Sequence, residues 1–400
     1  MSAVVWDWIG LLLRWTHVML GIAWIGTSFH FIWLDSSLRR EADQPEGVAG
    51  GSWMVHGGGF YHARKFLVAP RALPKELHWF KYEAYFTWVS GFLLLGVIYY
   101  IGANEFLIDP SVMALSPAVA IALSLGGLSL GWLGYDALCR STIGQNTALL
   151  AISVFAMAVG AAYGFSQIFS GRAAYIHVGA FLGTIMAANV FFVIIPNQKK
   201  AVADLIAGRV PDAALGKTAK QRSLHNNYLT LPVVLMMISN HYPLLYERPD
   251  NWIYVAGILV LGGLVRHYAN SKDNGASGWR VDWLLPAAGA LALGLIVSTF
   301  DFSRLGPKSA ADLAPVAFAQ VEPIFQQRCV TCHSAKPSDA NYKAPPKGVA
   351  FDSPAEIQRF ARQIYRMAVL TRAMPLGNKT GMLPEERDLV GRWIDGGAGD

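Results

Sequence analysis

Residues 173–195 read AAYIHVGAFLGTIMAANVFFVII, a nearly uninterrupted apolar run that contains one histidine and one asparagine. About 20 apolar residues are enough for a helix to cross the hydrocarbon core of a bilayer. Working outward from this run, segments of similar length and composition recur over the first three quarters of the chain. They lie at about 8–34, 82–101, 116–136, 147–168, 173–195, 224–244, 252–270 and 281–300. The sequence therefore predicts an all-α, polytopic membrane bundle of eight transmembrane helices.

The two halves of this bundle show a weak internal similarity. The His-Val pair at 17–18 aligns with the pair at 177–178, and the Tyr-x-Thr at 85–87 aligns with that at 228–230. Membrane folds often contain such internal repeats. The alignment favours a 4+4 arrangement, in which two four-helix halves have parallel orientation.

Composition changes after residue 300, where the long apolar runs stop. Residues 301–320 read as a linker, and 321–400 are charged, rich in proline and too polar to span a membrane. We therefore predict a transmembrane catalytic domain over 1–300, a linker over 301–320 and a small separate domain over 321–400.

Positive charge is concentrated in two loops, although the whole chain has a formal net charge of only +6. Lys and Arg are retained in the cytoplasmic loops of membrane proteins. The distribution therefore predicts a lipid bilayer as partner, not a nucleic acid, and places both termini on the periplasmic side of a bacterial inner membrane. The two groups are Arg39, Arg40, Arg64, Lys65, Arg71, Lys75 and Lys81, and Lys199, Lys200, Arg209, Lys217, Lys220 and Arg222.

The C-terminal segment contains CVTCH at 329–333, the pattern of covalent haem attachment. Cys329 and Cys332 would form the thioethers, and His333 would be the proximal iron ligand. Met374, in a Met-Pro loop further along the chain, is the candidate for the opposite ligand. A zinc or redox site is the other interpretation of such a motif, but the later Met and the predicted periplasmic location favour haem c. We therefore predict a class I cytochrome c domain that is periplasmic.

Two histidines fall in the outer half of predicted spans. His17 and His177 occupy the same position in the two halves of the repeat. Facing imidazoles can ligate a b-type haem iron or another metal. Alternatively, each ring forms a hydrogen bond to a neighbouring helix, and the sequence leaves both interpretations open.

The inner half of the bundle carries more polar residues, which are costly in a membrane and often functional. Their mixture suits a site for a polar small molecule, although side chains at helix ends also extend to the headgroups for other reasons. The glycines at 57–59 permit close approach of the backbone to a ligand, or simply make a flexible loop. The candidate bases are His30, His56, Glu83, His225 and His267, and the other polar residues on this side are Asp35, Asp136, Arg140, Asn189, Asn226, Asn227 and Arg266.

Several stretches of the sequence resemble those of a known family. WMVHGGGFYHARK at 53–65, PKELHWFKYEAYFTW at 74–88 and AMPLGNKTGM at 373–382, together with CVTCH, resemble the bacterial membrane-bound urate oxidases, or urate hydroxylases. The resemblance implies oxidation of urate to 5-hydroxyisourate, with electrons leaving through cytochrome c and no formation of hydrogen peroxide. RWTHVMLGIAWIG at 14–26 is also similar to the first helix of the small four-helix membrane protoporphyrinogen oxidases, which favours His17 as a b-haem ligand.

The functional hypothesis is therefore urate oxidation at the inner cluster, with entry from the cytoplasm. A bilayer core about 30 Å thick separates that cluster from an external haem c, so a second redox centre at His17 and His177 would bridge the distance. If urate enters from the periplasm, no such centre is needed. The downstream acceptor would be a soluble cytochrome c or a terminal oxidase. Two alternatives remain: a quinol-oxidising electron-transfer protein, and a transporter with a haem redox module.

Overall fold

The computed structural model describes residues 3–68, 70, 73–300 and 315–399, and most of them are helical. The bundle contains α1 (Ala3–Ser37), α2 (Tyr82–Leu95), α3 (Pro117–Arg140), α4 (Thr147–Ser166), α5 (Gly171–Ala188), α6 (Ile195–Ile206), α7 (Ala213–Ser239), α8 (Pro243–Tyr246), α9 (Asn251–Asp273), α10 (Trp279–Asp282) and α11 (Leu284–Ser298). Three π-helical turns interrupt or extend these helices, at Gly96–Tyr100, Ala103–Leu107 and Asn189–Ile194.

Six helices in the described part of the chain are long and apolar enough to cross a membrane. They confirm the membrane-type helical bundle and match the predicted spans except the second and the sixth. Those two segments are helical, as α2 with its π-helical extension and as α7, but they are shorter or more polar than the others. The count of eight crossings and the direction of insertion stay predictions. The six are Val4–Ser37, Pro117–Arg140, Thr147–Ser166, Gly171–Ile206, Asn251–Asp273 and Trp279–Ser298.

A β-hairpin follows α1, where the sequence pattern had indicated only a loop. Strands β1 (Val48–His56) and β2 (Gly59–Phe66) pair antiparallel, with His56 opposite Gly59. The two turn residues, Gly57 and Gly58, have φ of 59° and 79°, a left-handed backbone that glycine adopts without steric cost. The glycines of the HGGG stretch therefore close a hairpin, and the fold is an α-helical bundle with one two-stranded addition.

Helix α5 is the central helix of the bundle. Most residues of α5 are buried, whereas α1 is largely exposed. Close packing against α3 depends on Gly131, because a Cβ there would lie 2.1 Å from Cε2 of Phe181. The same two helices carry the buried polar residues described below, so their contact positions the site.

Gly131→Ala is expected to destabilise the protein by about 1–3 kcal/mol, because the added methyl group overpacks the contact between α3 and α5. Gly126→Ala on the same helix is the matched control, since a Cβ there meets no atom within 4 Å. Thermal unfolding in detergent measures both. Equal melting temperatures for the two variants would contradict the packing argument.

The two ends of the bundle differ in what packs on them. At one end, which carries the basic loops and which we call the basic end, Asp35 of α1 forms ion pairs with Lys65 of β2 at 2.5 Å and with Lys220 of α7 at 3.6 Å. At the opposite end, which we call the tail end, the Nδ2 atom of Asn341 donates to Glu105 Oε1 at 2.5 Å. The C-terminal segment therefore contacts the bundle at the end away from the basic loops.

The C-terminal segment has a hydrophobic core of its own. Its helices are α12 (Phe318–Arg328), α13 (Pro354–Arg359), α14 (Ala361–Ile364) and α15 (Pro384–Asp395). The first and last of these cross, and the rings of Phe325 and Trp393 pack edge to face with centroids 5.8 Å apart. Residues 301–314 of the predicted linker lie outside the described residues, and α12 begins at Phe318. The domain limits stay predictions.

Candidate functional site

Arg222 is the centre of a buried polar network near the basic end of the bundle. Its side chain is 2% exposed. The guanidinium donates from Nη2 to Asp136 Oδ1 at 2.7 Å and from Nη1 to Asn189 Oδ1 at 3.2 Å. It also lies over the ring of Tyr135, with Cζ 5.0 Å from the centroid. Helices α3 and α7 and the turn after α5 therefore meet at one buried cation.

The Tyr135 hydroxyl links Asn189 with His225. Asn189 Nδ2 donates to the Tyr135 hydroxyl at 3.1 Å and to Asn226 Oδ1 at 2.9 Å. The hydroxyl lies 2.7 Å from Nδ1 of His225. A hydroxyl has one hydrogen and two lone pairs, so it can accept from the amide and still either donate to Nδ1 or accept from it, according to the tautomer of His225. The imidazole of His225 is therefore joined to the Arg222 network through a phenol.

A second polar group lies on the adjacent face of α7. Asn227 Oδ1 accepts from Arg266 Nε at 3.3 Å and from Asn270 Nδ2 at 2.9 Å, and Arg266 Nη2 donates to Asn270 Oδ1 at 2.6 Å. The Arg266 guanidinium carbon lies 4.0 Å from the ring centroid of Phe29 on α1. Because Asn226 and Asn227 are neighbours in sequence, α7 joins the two polar groups.

Two donors in this region have no partner in the described part of the chain. They are Arg222 Nε and Asn227 Nδ2, both buried. A buried donor left without an acceptor costs about 1–3 kcal/mol, more when it belongs to a charged group. Groups of this kind are satisfied when an acceptor-rich ligand or a water binds. Both donors are therefore available to an acceptor from a ligand or a water.

The five candidate bases do not lie together. His225 is the one that the structure joins to the Arg222 network, through Tyr135. Glu83 is half-buried at the start of α2, and its carboxylate makes no hydrogen bond to the described residues. The remaining three are exposed, with His56 at the tip of the hairpin: His30, His56 and His267.

His17 and His177 have similar surroundings on one side of the ring. Nδ1 of His17 donates to the carbonyl of Thr87 at 3.0 Å, and Nδ1 of His177 donates to that of Ala173 at 2.7 Å. Such a bond is typical of histidines that bind a metal through Nε2. Nε2 of His177, however, accepts from the hydroxyl of Ser124 at 2.7 Å. Among the described residues no ring contact or hydrogen bond joins the two histidines, so their shared haem stays a prediction.

The CVTCH stretch lies at the end of α12, beside the hydrophobic core of the C-terminal segment. Nδ1 of His333 donates to the Val349 carbonyl at 2.9 Å, which leaves the Nε2 lone pair for a metal. Cys329 and Cys332 are free thiols, and Met374 is half-buried against the same core. Burial raises the pKa of the Cys329 thiol to about 12, so it is protonated at neutral pH. These residues fit the needs of a covalent haem c.

Sequence reasoning missed some members of the buried network. The sequence pattern groups Arg222 with the positive charges of the loop before α7, whereas its side chain is buried in the bundle. Its spacing of three and four residues from His225 and Asn226 places all three on one helix face, and this was the available signal. Tyr135 carried no comparable signal, because an aromatic residue near the end of a span is most simply an interface anchor.

Comparison with known proteins bears on the helical part of the chain. A family model described as urate oxidase N-terminal matches residues 3–299. No curated protein and no solved structure matched the chain. The matched range contains both polar groups of α7 as well as His17 and His177, and it ends before the CVTCH stretch.

Proposed function

The chain belongs to the urate oxidase N-terminal family, and from this membership we propose that it oxidises urate within its helical bundle. The product would be 5-hydroxyisourate. The electrons would pass to a haem c held by Cys329, Cys332, His333 and Met374, and then to a soluble cytochrome c or a terminal oxidase. Hydrogen peroxide would not form, because oxygen would not be the direct acceptor.

The proposed location of the substrate rests on two buried donors that have no partner among the described residues. Urate is planar, anionic near neutral pH, and bears carbonyl oxygens around its edge. Arg222 Nε and Asn227 Nδ2 offer N–H groups to such oxygens, and Arg and amide side chains match planar acceptors well. Apolar and aromatic walls around a few placed polar groups are typical of small-molecule sites. Trp132 and Phe29, which contact Arg222 and Arg266, supply rings for stacking.

The oxidation must release protons as well as electrons. Urate and one water give 5-hydroxyisourate, two electrons and two protons. Nδ1 of His225 lies 2.7 Å from the Tyr135 hydroxyl. In the tautomer in which Nδ1 accepts, a proton can pass from the phenol to the imidazole while the phenol takes one from the substrate. We therefore assign His225 as the base and Tyr135 as the group that passes the proton to it.

The electrons have to travel along the bundle to the tail end. His177 and Asn189 lie on one helix about 18 Å apart along its axis. A bound haem c supplies a one-electron acceptor, and a Met ligand raises its potential. A b-type haem near His17 would shorten the distance between the polar network and that acceptor.

His17→Ala is expected to remove the b-type haem from the purified protein while the c-type haem is retained. The pyridine haemochrome spectrum measures the two types separately. His241→Ala is a control, since His241 is exposed at the same end of the bundle. A wild-type spectrum with c-type signal alone, or full b-haem content in the His17→Ala variant, would contradict the second centre.

The experiment that tests the proposed function is anaerobic. Urate is added to the oxidised, detergent-purified protein, and the α-bands of the haem are followed. Reduction at the rate of turnover, with 5-hydroxyisourate or its decay products appearing, is the expected result. Absence of reduction by urate, with rapid reduction by a quinol, would refute it in favour of quinol oxidation.

A further inference from the structure

We infer that the Met374–Asn378 loop is the surface through which the C-terminal segment docks on the helical bundle, and that Arg387 is the positioning residue of this loop. The inference rests on the proposed function, because it takes Met374 as an iron ligand. The inference specifies where electrons enter the C-terminal segment and which residues fix the conformation of that loop.

Arg387 joins the two ends of the loop. Its side chain is 7% exposed, on α15. Nη1 donates to the carbonyl of Met374 at 2.6 Å and also to that of Ala368, and Nη2 donates to Asn378 Oδ1 at 3.2 Å. One buried guanidinium thus spans the loop from its first to its last residue. Because the fork of an arginine is planar and rigid, these bonds restrict the position of the Met374 backbone.

The outer side of the same loop lies on the bundle. Gly377 has φ of 56°, and a Cβ there would lie 3.4 Å from the carbonyl oxygen of Ile108 and 3.5 Å from that of Glu105. Residues Leu376–Asn378 therefore lie against the Ala103–Leu107 turn, with room at Gly377 for no more than a methyl group. Glu105 also accepts the hydrogen bond from Asn341, so the turn receives two loops of the C-terminal segment.

An ion pair fixes these two loops to each other. Lys379 Nζ lies 2.7 Å from Asp339 Oδ2, and the thiol of Cys332 lies 3.6 Å from the same oxygen. The hydrogen-bonded pair holds the pKa of Asp339 below its usual range, so the carboxylate stays charged. The docked face of the C-terminal segment is thus the face that carries one thioether cysteine and the Met374 loop.

The Ala103–Leu107 turn leads back to the outer histidine of the bundle. The Ser170 hydroxyl donates to the Phe106 carbonyl at 2.7 Å, at the start of α5. The ring of Tyr99 lies between Phe106 and His177, with centroid distances of 6.4 and 6.1 Å. A line of rings therefore connects the bundle interior with the turn on which the Met374 loop rests. In this arrangement electrons enter on the Met374 side without a large movement of the C-terminal segment.

A charge exchange tests the docked contact. Asn341→Asp places a second carboxylate against Glu105, and the rate of haem c reduction after mixing with urate is expected to fall by about threefold or more. Adding Glu105→Gln restores an amide–carboxylate pair with the roles reversed, and the rate is expected to recover. Hydrogen exchange of residues 103–107 and 376–378 reports docking without turnover, and it should rise in the single variant and fall back in the double variant.

A conservative substitution tests the positioning role. Arg387→Lys keeps the charge but cannot reach all three acceptors. The sulfur-to-iron charge-transfer band of the oxidised haem is expected to weaken by half or more, and the midpoint potential to fall as Met ligation is lost. Arg392→Gln is the matched control on the same helix, and its band should equal that of the wild type.

The outcomes separate the inference from the function on which it rests. Failure of the wild type to attach haem, or to reduce it with urate, overturns the proposed function. A wild type that reduces its haem with urate, with the Asn341→Asp and Arg387→Lys variants behaving like it in rate, exchange and band, overturns the docking inference alone.

Discussion

Arg222→Gln is expected to lower kcat/KM for urate by about tenfold to a hundredfold, because a hydrogen bond to a charged group contributes about 1.5–3 kcal/mol and each 1.36 kcal/mol is a factor of ten. The substitution leaves Asp136 without its buried cation and removes an unpaired donor proposed to face urate. The measurement is steady-state oxidation of urate with an artificial electron acceptor. A thermal unfolding curve recorded on the same preparation separates lost recognition from lost stability.

Arg140→Gln is the control that the chain offers for this experiment. Arg140 pairs with the same carboxylate, at 2.6 Å, but its side chain is 70% exposed. Exposed ion pairs contribute about 0–1 kcal/mol, so this variant should keep nearly the full rate. Arg222→Lys adds a second test, since it keeps the buried charge but lacks the Nε donor. A near wild-type kcat/KM for both Arg222 variants would exclude Arg222 from the urate site.

The apolar runs predicted the helices well because their physical basis is local. A stretch such as 173–195 must bury its own backbone hydrogen bonds in lipid, and a helix achieves this within the segment itself. The pattern is less informative where a helix is also polar. In α7 the polar residues Asn226 and Asn227 form hydrogen bonds inside the bundle. A low hydropathy therefore does not exclude such a segment from the bundle interior.

Sequence patterns did not predict the hairpin or the buried network, and the reasons differ. The hairpin is partly exposed, so its strands lack a clear alternation of apolar residues, and the decisive signal was the Gly57-Gly58 turn. The network depends on contacts between α3, α5 and α7, whose residues are far apart in the sequence. Periodicity shows that Arg222 and His225 share a face, but it does not show that Tyr135 lies opposite them. Pairing of buried donors and acceptors is a property of the packed bundle.

The cysteine motif, in contrast, can be recognised from sequence alone, because its chemistry is contained in five consecutive residues. CVTCH predicts the two attachment points and one ligand regardless of the surrounding fold. The position of Met374 needed the tertiary structure, which brings it to the same hydrophobic core as Cys329. The bond from His333 to the Val349 carbonyl likewise involves a residue that no local motif indicates.

Replacing both Cys329 and Cys332 by serine is expected to abolish covalent haem and, with it, the transfer of electrons from urate to an external cytochrome. Serine hydroxyls do not add to haem vinyl groups, so only coordination by His333 and Met374, without a covalent bond, would be left to hold haem. A haem-stained denaturing gel measures attachment, and anaerobic mixing with urate measures electron transfer. Urate affinity, followed by calorimetry, should stay within about threefold of the wild type, because the proposed binding residues lie at the other end of the bundle.

Cys139→Ser is the matched control for the double variant, since Cys139 is the remaining cysteine of the chain and is placed in α3. It should keep the haem stain and reduce its haem with urate at the wild-type rate. The strongest contrary result would be a double variant that lacks covalent haem yet still passes electrons from urate to external cytochrome at the wild-type rate. Electrons would then leave the bundle by a route that avoids the C-terminal segment, and the contact between Glu105 and Asn341 would have no part in their transfer.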